Sequence, residues 1–316
     1  MTPFAIAGIQ MYVSATSSNV EGMRNRIDAL MAVYPWVQMV VFSELAVCGP
    51  LTSKAQSLPG SAETALAEAA AKHQIWLVTG SMFERAEDGS IYNTASVIDP
   101  NGDVVGRYRK MFVFAPYEQG VAPGEEFFVF DVPGAGRFGM TICYDTWFPE
   151  VTRTLASMGA EVILRPTLTG SIDRDVELSI TRASAAINQC YLFDINGLGA
   201  GGNGRSIVCN PHGQVLHQAG SSEEFIPLEI DFDNVRRSRE RGVLTLGQPL
   251  KSFRDKPVEF PIYQAGAHSP YLDSLGPLTK PQRLSINQCS SDTDGASSGA
   301  YSAAMSDADT PTQENS

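Results

Sequence analysis

The sequence predicts an α/β fold in which two β-sheets pack face to face with helices outside them, a four-layer α-β-β-α sandwich. One observation is that apolar strands and amphipathic helices alternate over residues 4–80. Another is that two similar hairpin sequences, residues 99–105 and 210–216, stand 111 residues apart. We interpret these hairpins as equivalent parts of two halves of the chain, each of which contributes one sheet.

The first half alternates strands with helices before it turns to hairpins. A helix capped by Asn19 is expected to run to about Tyr34. Residues 37–42 are a continuous apolar run, which is typical of a strand covered on both faces. An Asn-Gly pair at residues 101–102, between two apolar runs, predicts a hairpin. The predicted strands are residues 4–10, 37–42, 75–80, 92–99 and 103–109, and a second helix is predicted over residues 61–73.

The second half repeats this alternation. The stretch from Arg137 to Glu150 reads as a strand that turns into a helix, because Pro149 suits a first helical position. Asp231 is expected to cap a basic helix. The other predicted strands are residues 161–165, 190–196, 207–210, 214–218 and 225–230, and the predicted helices are residues 149–158, 174–188 and 234–241.

These elements define a main domain over residues 1–241. Residues 242–289 are spaced by proline and glycine, and we expect them to form an extension that packs on the core or on a partner subunit. Residues 290–316 are rich in Ser, Asp, Ala and Thr without periodicity, which predicts a disordered acidic tail.

Composition disfavours several classes of protein. A net charge of -12 argues against nucleic acid or an anionic membrane as a partner, and no apolar run is long enough to cross a membrane. Five cysteines without paired spacing and an N-terminus without a signal-peptide pattern predict a cytoplasmic protein with free thiols. Four scattered histidines predict no metal site. The Gly-x-Gly-x-x-Gly at residues 197–202 leads into a strand, so we expect no dinucleotide and no other cofactor.

Cys143 lies where the predicted strand turns into the predicted helix. A tight turn of this kind holds a side chain out from the sheet, where it can meet a substrate. The amides of the helix N-terminus are expected to lower the pKa of the thiol. The alternative is that Cys143 is a small buried hydrophobic residue, as most free cysteines are.

Three charged residues stand where apolar strands end or where a Phe-rich segment begins. Glu44 follows the apolar run 37–42, and burial there would raise the pKa of its carboxyl towards that of a base at neutral pH. Lys110 leads into a Phe-rich segment, where it would be a buried cation, and Glu118 follows eight residues later. Taken one at a time, each of these residues has an alternative as an ordinary exposed charge.

Together these residues resemble the nitrilase, or carbon-nitrogen hydrolase, superfamily. Its members carry a Glu-Lys-Cys catalytic set in the chain order of Glu44, Lys110 and Cys143, and the resemblance covers about residues 4–235. It implies an α-β-β-α sandwich, a homodimer or higher homo-oligomer and a small-molecule substrate. It also places the family's second glutamate, which helps to hold the lysine and the substrate amide, at Glu118.

Within the superfamily, the motif Cys143-Tyr144-Asp145 resembles that of the aliphatic amidase and formamidase branch. The resemblance implies hydrolysis of a small carboxylic amide to the acid and ammonia through a cysteine acyl-thioester. The segment after Arg165 departs from that branch, which leaves the acyl group open. The residues expected to shape the substrate pocket, with core packing as the alternative for the aromatic ones, are Tyr117, Tyr144, Trp147, Pro166 and Thr167.

Two other functions stay open from the sequence. One is a sibling reaction of the same superfamily, on a nitrile or an N-carbamoyl compound. The other is a catalytically idle binding or assembly module that kept the fold.

Overall fold

The structure, a computed structural model, describes residues 1–255, 258–264 and 266–281. The strands of this part are β1 (Pro3–Gln10), β2 (Tyr12–Val13), β3 (Met39–Phe42), β4 (Trp76–Val78), β5 (Met82–Arg85), β6 (Ile91–Ile98), β7 (Val104–Arg109), β8 (Val129–Val132), β9 (Gly136–Met140), β10 (Val162–Thr167), β11 (Tyr191–Asn196), β12 (Leu198–Gly199), β13 (Gly202–Asn203), β14 (Ile207–Cys209), β15 (Val215–Gln218) and β16 (Glu224–Asp231). The α-helices are α1 (Val20–Val33), α2 (Ser61–His73), α3 (Pro149–Ser157), α4 (Asp173–Asn188), α5 (Phe232–Arg241), α6 (Pro249–Asp255) and α7 (Pro270–Asp273), and 3-10 turns span Thr52–Lys54, Cys143–Trp147 and Pro261–Tyr263.

The first sheet has the strand order β16-β1-β3-β4-β6-β5, with β7 paired to β6. Strands β1, β3 and β4 are parallel, because α1 and α2 connect them as crossovers. The carboxyl ends of these strands therefore meet at one edge of the sheet. Glu44 comes two residues after the end of β3, at that edge.

The second sheet has the order β15-β14-β11-β10-β9-β8. Here β9, β10 and β11 are parallel, with α3 and α4 as the crossovers. Cys143 follows β9 and Thr169 follows β10, so both segments leave the sheet at the same edge. A small third sheet joins β2, β12 and β13.

The two large sheets face each other across the main hydrophobic core. That core takes Ile6 and Val41 from the first sheet and Leu164 and Phe193 from the second. The sheets approach each other closely at Gly8, where a Cβ atom would lie 2.3 Å from Cδ1 of Ile195. Glycine at this position therefore allows the close contact of the sheets.

Helices cover both outer faces of this pair of sheets. On the first sheet, α1 and α2 bury an apolar stripe that includes Met23, Ile27 and Leu66. On the second, α3 and α4 pack through Leu155 and Leu178. The predicted four-layer α-β-β-α sandwich is thus confirmed.

The two similar hairpins occupy equivalent places, one in each sheet. The first joins β6 to β7, and the second joins β14 to β15. Asp99 accepts hydrogen bonds from two backbone amides of its turn, at 2.8 and 2.9 Å, and Asn210 does the same at 3.0 and 3.1 Å. The equivalence predicted from the sequence is therefore present in the fold.

Several local features differ from the expectation. Strands β5 and β8 were not predicted, because each is a short edge strand with mixed polarity. Asn19 stands at the N-cap of α1, but its side chain makes no capping bond and instead accepts from the amide of Ser14 at 3.0 Å. Asp231 does cap α5, accepting from the amide of Asp233 at 3.0 Å.

The segment after α5 continues within a compact unit that spans Met1–Leu275. Helix α6 contacts α4, and the Tyr263 hydroxyl donates to the Glu150 carboxylate of α3 at 2.5 Å. The division of the chain after residue 241 stays a prediction. The proposed acidic tail, residues 290–316, lies outside the described residues. None of the helices in the described ranges is both long and apolar enough to cross a membrane.

Candidate active site

Glu44 enters the site from the end of β3. Its backbone amide donates to the Thr167 carbonyl of the second sheet at 3.2 Å, so this residue sits where the two sheets meet. Gly80, with φ +74°, lies against the backbone of Ser43, the residue before Glu44. A Cβ atom at position 80 would be 2.0 Å from the Ser43 carbonyl oxygen. Glu44 is 3% exposed. Glu44, the charged residue that follows β3, is therefore buried inside the sandwich, as predicted from the sequence.

Lys110 follows β7 and is 1% exposed. Its Nζ lies 2.9 Å from Oε1 of Glu44 and 2.9 Å from Oε2 of Glu118. The Asn93 side-chain amide donates to Oε1 of Glu44 at 2.8 Å, and the Phe114 amide donates to Oε2 of Glu118 at 2.6 Å. One ammonium thus joins two carboxylates, and each carboxylate is fixed by a further donor.

Cys143 begins the 3-10 turn that follows β9, and Pro149 then starts α3. Its φ of +43° is unusual for a residue with a Cβ atom, and the surrounding structure must hold it there. Its Sγ lies 3.6 Å from the hydroxyl of Thr169, and it is close enough to Glu44 that each of the two groups shifts the pKa of the other. The predicted strand-to-helix elbow is present, and it places the sulfur near the Glu44 carboxylate.

Asp145 holds this elbow in place. Its buried carboxylate accepts from the amides of Ile142 and Phe112, both at 2.8 Å, and from the Tyr108 hydroxyl at 2.7 Å. These donors come from the elbow itself and from the chain on both sides of Lys110. Asp145 therefore ties the turn that begins at Cys143 to the chain segment around Lys110.

Burial sets the protonation states of the three central groups. It raises the pKa of Glu44, against the lowering effect of the Lys110 charge. Burial would lower the pKa of Lys110, but Glu44, Cys143 and Glu118 outweigh it and raise that pKa, so the ammonium stays charged. The pKa of Cys143 is raised well above its ordinary value, first by burial and then by the Glu44 charge. The expectation that helix amides would lower this pKa is therefore wrong, because desolvation dominates.

A cavity of about 300 Å³ opens beside the sulfur. Tyr144 and Trp147, both predicted to shape the pocket, line it. Tyr117, which was also expected at the pocket, is not among the residues that line it. It is 53% exposed and stacks on Phe114, which does line the cavity, with ring centroids 4.9 Å apart. The full lining is Phe114, Cys143, Tyr144, Trp147, Leu168, Thr169, Gly170, Ser171, Asp173, Glu177 and Gly201.

Pro166 and Thr167, the other two residues expected at the pocket, lie inside β10 and are buried. Neither of them lines the cavity. The segment that directly follows them, residues 168–171, forms its wall instead. The contribution of Thr167 is its carbonyl, which accepts from the Glu44 amide.

Several residues of this site were not predicted from the sequence. Asn93 lies within β6, where a buried polar residue in a strand gave no separate signal. Asp145 belongs to a motif that was noticed, but its position two residues after Cys143 did not indicate its three donors. Thr169 and Glu177 contact each other at 3.1 Å, although they belong to different elements.

In the described part of the chain, no group of three or more His, Cys, Asp or Glu side chains is arranged to hold a metal ion.

We expect Asp145→Asn to destabilise the fold and to reduce turnover. Asp145 is fully buried, and an amide in its place turns an NH₂ group towards at least one of the donors, which leaves buried donors unpaired at about 1–3 kcal/mol each. Urea unfolding and the rate per folded enzyme measure the two effects. Tyr108→Phe, which removes one of the three bonds, is the matched control and should show the smaller change. An Asp145→Asn variant as active as the wild type would contradict the positioning role.

A two-sheet sandwich with a buried glutamate, lysine and cysteine at the strand ends defines the class of hydrolases that cleave carbon–nitrogen bonds. Residues 4–240 match the family model described as carbon-nitrogen hydrolase, and the chain belongs to that family. Formamidases of Bacillus thuringiensis and Bacillus cereus are 31% identical to it over 215 residues. That match spans 65% of this chain and 65% of each formamidase.

Solved structures share the fold. The Nit3 protein of Saccharomyces cerevisiae, a member of the nitrilase superfamily, is 26% identical with a TM-score of 0.69, over 76% of this chain and 94% of that protein. A carbon-nitrogen hydrolase of Helicobacter pylori is 23% identical with a TM-score of 0.71, over 82% of this chain and 97% of that chain. An amidase of Nesterenkonia sp. is 24% identical with a TM-score of 0.66, over 75% and 94% of the two chains.

Proposed function

We propose that this protein is an amidase that hydrolyses a small carboxylic amide to the acid and ammonia. The observation that carries the proposal is the meeting of Glu44, Lys110 and Cys143 in one buried site beside a cavity. The formamidase relatives support an amide as the substrate, and the resemblance of the Cys143-Tyr144-Asp145 motif points the same way. The fold neighbours add no more than the fold.

The first step is attack by sulfur. Because burial and the Glu44 charge raise the pKa of Cys143, the resting thiol is protonated. Glu44, whose own pKa burial raises, accepts this proton as the sulfur bonds to the amide carbon. A general base therefore generates the nucleophile at the moment of attack, and no preformed thiolate is needed.

The second requirement is stabilisation of the oxyanion. Lys110 stays an ammonium at neutral pH and lies 2.9 Å from the carboxylate that takes the proton. With the backbone amide of Tyr144, it supplies positive charge where the carbonyl oxygen becomes negative. In a buried site this interaction is stronger than in water.

The cycle ends with three proton transfers through Glu44. The protonated carboxyl gives its proton to the leaving nitrogen, the carbon–nitrogen bond breaks, and ammonia departs from an acyl-thioester. Glu44 then takes a proton from water as the water oxygen attacks the thioester. The carbon–sulfur bond breaks, the acid leaves, and the proton returns to the sulfur.

The cavity lining also bears on one sibling reaction. Hydrolysis of an N-carbamoyl amino acid requires recognition of a carboxylate, for which arginine or lysine is the usual partner. The described residues that line the cavity include no lysine and no arginine.

Cytoplasmic location and a homo-oligomeric assembly stay predictions.

We expect ammonia and acid from formamide, acetamide or propanamide, and none from acetonitrile or propanenitrile. Purified full-length protein is incubated with each compound and with an N-carbamoyl amino acid, and both products are quantified. Hydrolysis of the nitriles without the amides would overturn the amidase proposal. No hydrolysis of any compound, together with no alkylation of Cys143 by iodoacetamide, would favour the idle binding module.

A further inference from the structure

The cavity beside Cys143 combines aromatic rings with carboxylates. Phe114, Tyr144 and Trp147 form a continuous aromatic cluster, with ring centroids 5.0 Å apart for the first pair and 6.4 Å apart for the second. Glu177 and Asp173 also line this cavity. Aromatic faces and carboxylates are the two protein groups that attract an organic cation.

Glu177 is connected to the Cys143 sulfur through the hydroxyl of Thr169. The sulfur lies 3.6 Å from the Thr169 hydroxyl, which donates to Oε1 of Glu177 at 3.1 Å. Arg174 holds the other oxygen of Glu177 at 3.2 Å, but Arg174 is buried behind the wall and does not line the cavity. Each carboxylate oxygen has a second lone pair. Glu177 is thus a fixed acceptor that remains able to take one more hydrogen bond.

Asp173 supplies charge to the same wall. It is the first residue of α4, where the helix dipole favours a carboxylate, and it is partly exposed to the cavity. Within the described residues, its side chain has no hydrogen-bond or salt-bridge partner. A negative charge without a protein counter-ion therefore faces the space that the acyl group of a substrate would fill.

We propose, building on the amidase function above, that the preferred substrates are amides whose acyl chain ends in an ammonium group. The carbonyl carbon sits at the Cys143 sulfur, the methylene chain lies along Tyr144 and Trp147, and the ammonium donates to Glu177 and is attracted by Asp173. A chain of two or three methylene groups between the carbonyl carbon and the nitrogen spans the distance that Thr169 bridges. An acyl chain that ends in a carboxylate is repelled by the same wall.

The test compares amides of equal length that differ in the terminal group. Steady-state ammonia release is measured for 4-aminobutanamide against pentanamide and for 3-aminopropanamide against butanamide, with succinamic acid as the anionic member. At pH 7 the amines are protonated, because alkylammonium groups have a pKa of about 10. We expect kcat/KM for the better ammonium amide to exceed that of its neutral isostere by about 10-fold or more, and the anionic amide to be the poorest substrate.

Two substitutions locate the cause of this preference. Asp173→Asn and Glu177→Gln should each reduce the ratio of kcat/KM between the ammonium amide and its neutral isostere. The ratio is taken within one enzyme, so a general loss of rate in Glu177→Gln cancels. Asp175→Asn is the matched control, because Asp175 lies on the same helix but pairs with Arg205 at 2.6 Å and does not line the cavity. Its ratio should equal that of the wild type.

Failure of this inference is distinguishable from failure of the amidase proposal. Hydrolysis of pentanamide or butanamide at a rate equal to or above that of both ammonium amides would overturn the inference and leave the amidase function standing. An ammonium preference that persists unchanged in both Asp173→Asn and Glu177→Gln would also overturn it. Absence of hydrolysis for every amide, formamide and acetamide included, would remove both.

Discussion

Replacing Cys143 with alanine is expected to lower amide turnover by about 10⁴- to 10⁶-fold, while the free energy of unfolding changes by less than about 1 kcal/mol. The rate falls because, in the proposed mechanism, the Cys143 sulfur forms the thioester. Stability is kept because alanine retains the Cβ atom, so the backbone strain at φ +43° is unchanged. The groups that contact the sulfur also keep partners, since Glu44 stays paired with Lys110 and Thr169 with Glu177. Ammonia release and urea unfolding measure the two quantities.

Two other cysteines provide the matched controls for this prediction. Cys190 and Cys209 are fully buried in the cluster between the second sheet and its covering helices. Because their removal leaves small cavities, Cys190→Ala and Cys209→Ala should each lose about 1–2 kcal/mol of stability with normal turnover per folded molecule. Wild-type turnover in Cys143→Ala would contradict the proposed chemistry. Of the other two cysteines, Cys48 is buried and Cys289 lies outside the described residues, so labelling experiments are best done in a Cys289→Ser background.

The sequence predicted the parts of the site that follow from chain order. A charged residue directly after an apolar strand can be recognised from the sequence alone, and this pattern pointed to Glu44. A cysteine between a strand and a proline-initiated helix located the elbow, and a repeated turn sequence located one hairpin in each sheet. In each case the signal and its structural consequence lie within a few residues of each other.

The parts that escaped prediction depend on which elements meet in space. Asn93 joins Glu44 to the Lys110 segment only because β6 lies next to β4 and β7. Glu177 looks like an ordinary helix residue until α4 is placed over the end of β10. The predicted direction of the Cys143 pKa shift was wrong for a related reason. A helix terminus can be recognised in a sequence, whereas the depth at which the thiol is buried is a property of the assembled sandwich.

Lys110→Met is expected to destabilise the protein by about 3–5 kcal/mol and to abolish turnover. Lys110 is buried and is the cation that two carboxylates, Glu44 and Glu118, share at 2.9 Å. Methionine fills a similar volume but leaves those carboxylates close together without a counter-ion, and desolvation then forces at least one of them to take up a proton. The unfolding midpoint in urea at neutral pH measures the loss.

The triple variant Lys110→Met, Glu44→Gln, Glu118→Gln separates the structural from the chemical role of the lysine. It removes the uncompensated charge, so we expect most of the lost stability to return. Turnover should stay absent, because the base and the oxyanion partner of the proposed mechanism are both missing. Arg109→Met is the matched control, since Arg109 precedes Lys110 and pairs with a single carboxylate, that of Glu84, at 2.6 Å. The Arg109 side chain is 40% exposed, and the buried Glu84 carboxylate keeps a hydrogen bond from the Thr94 hydroxyl at 2.6 Å. The stability of Arg109→Met should change less than that of Lys110→Met, with amide turnover preserved. If Lys110→Met instead unfolds at the wild-type urea concentration, the ammonium is not the group that holds the two carboxylates together, and the electrostatic account of this site fails with it.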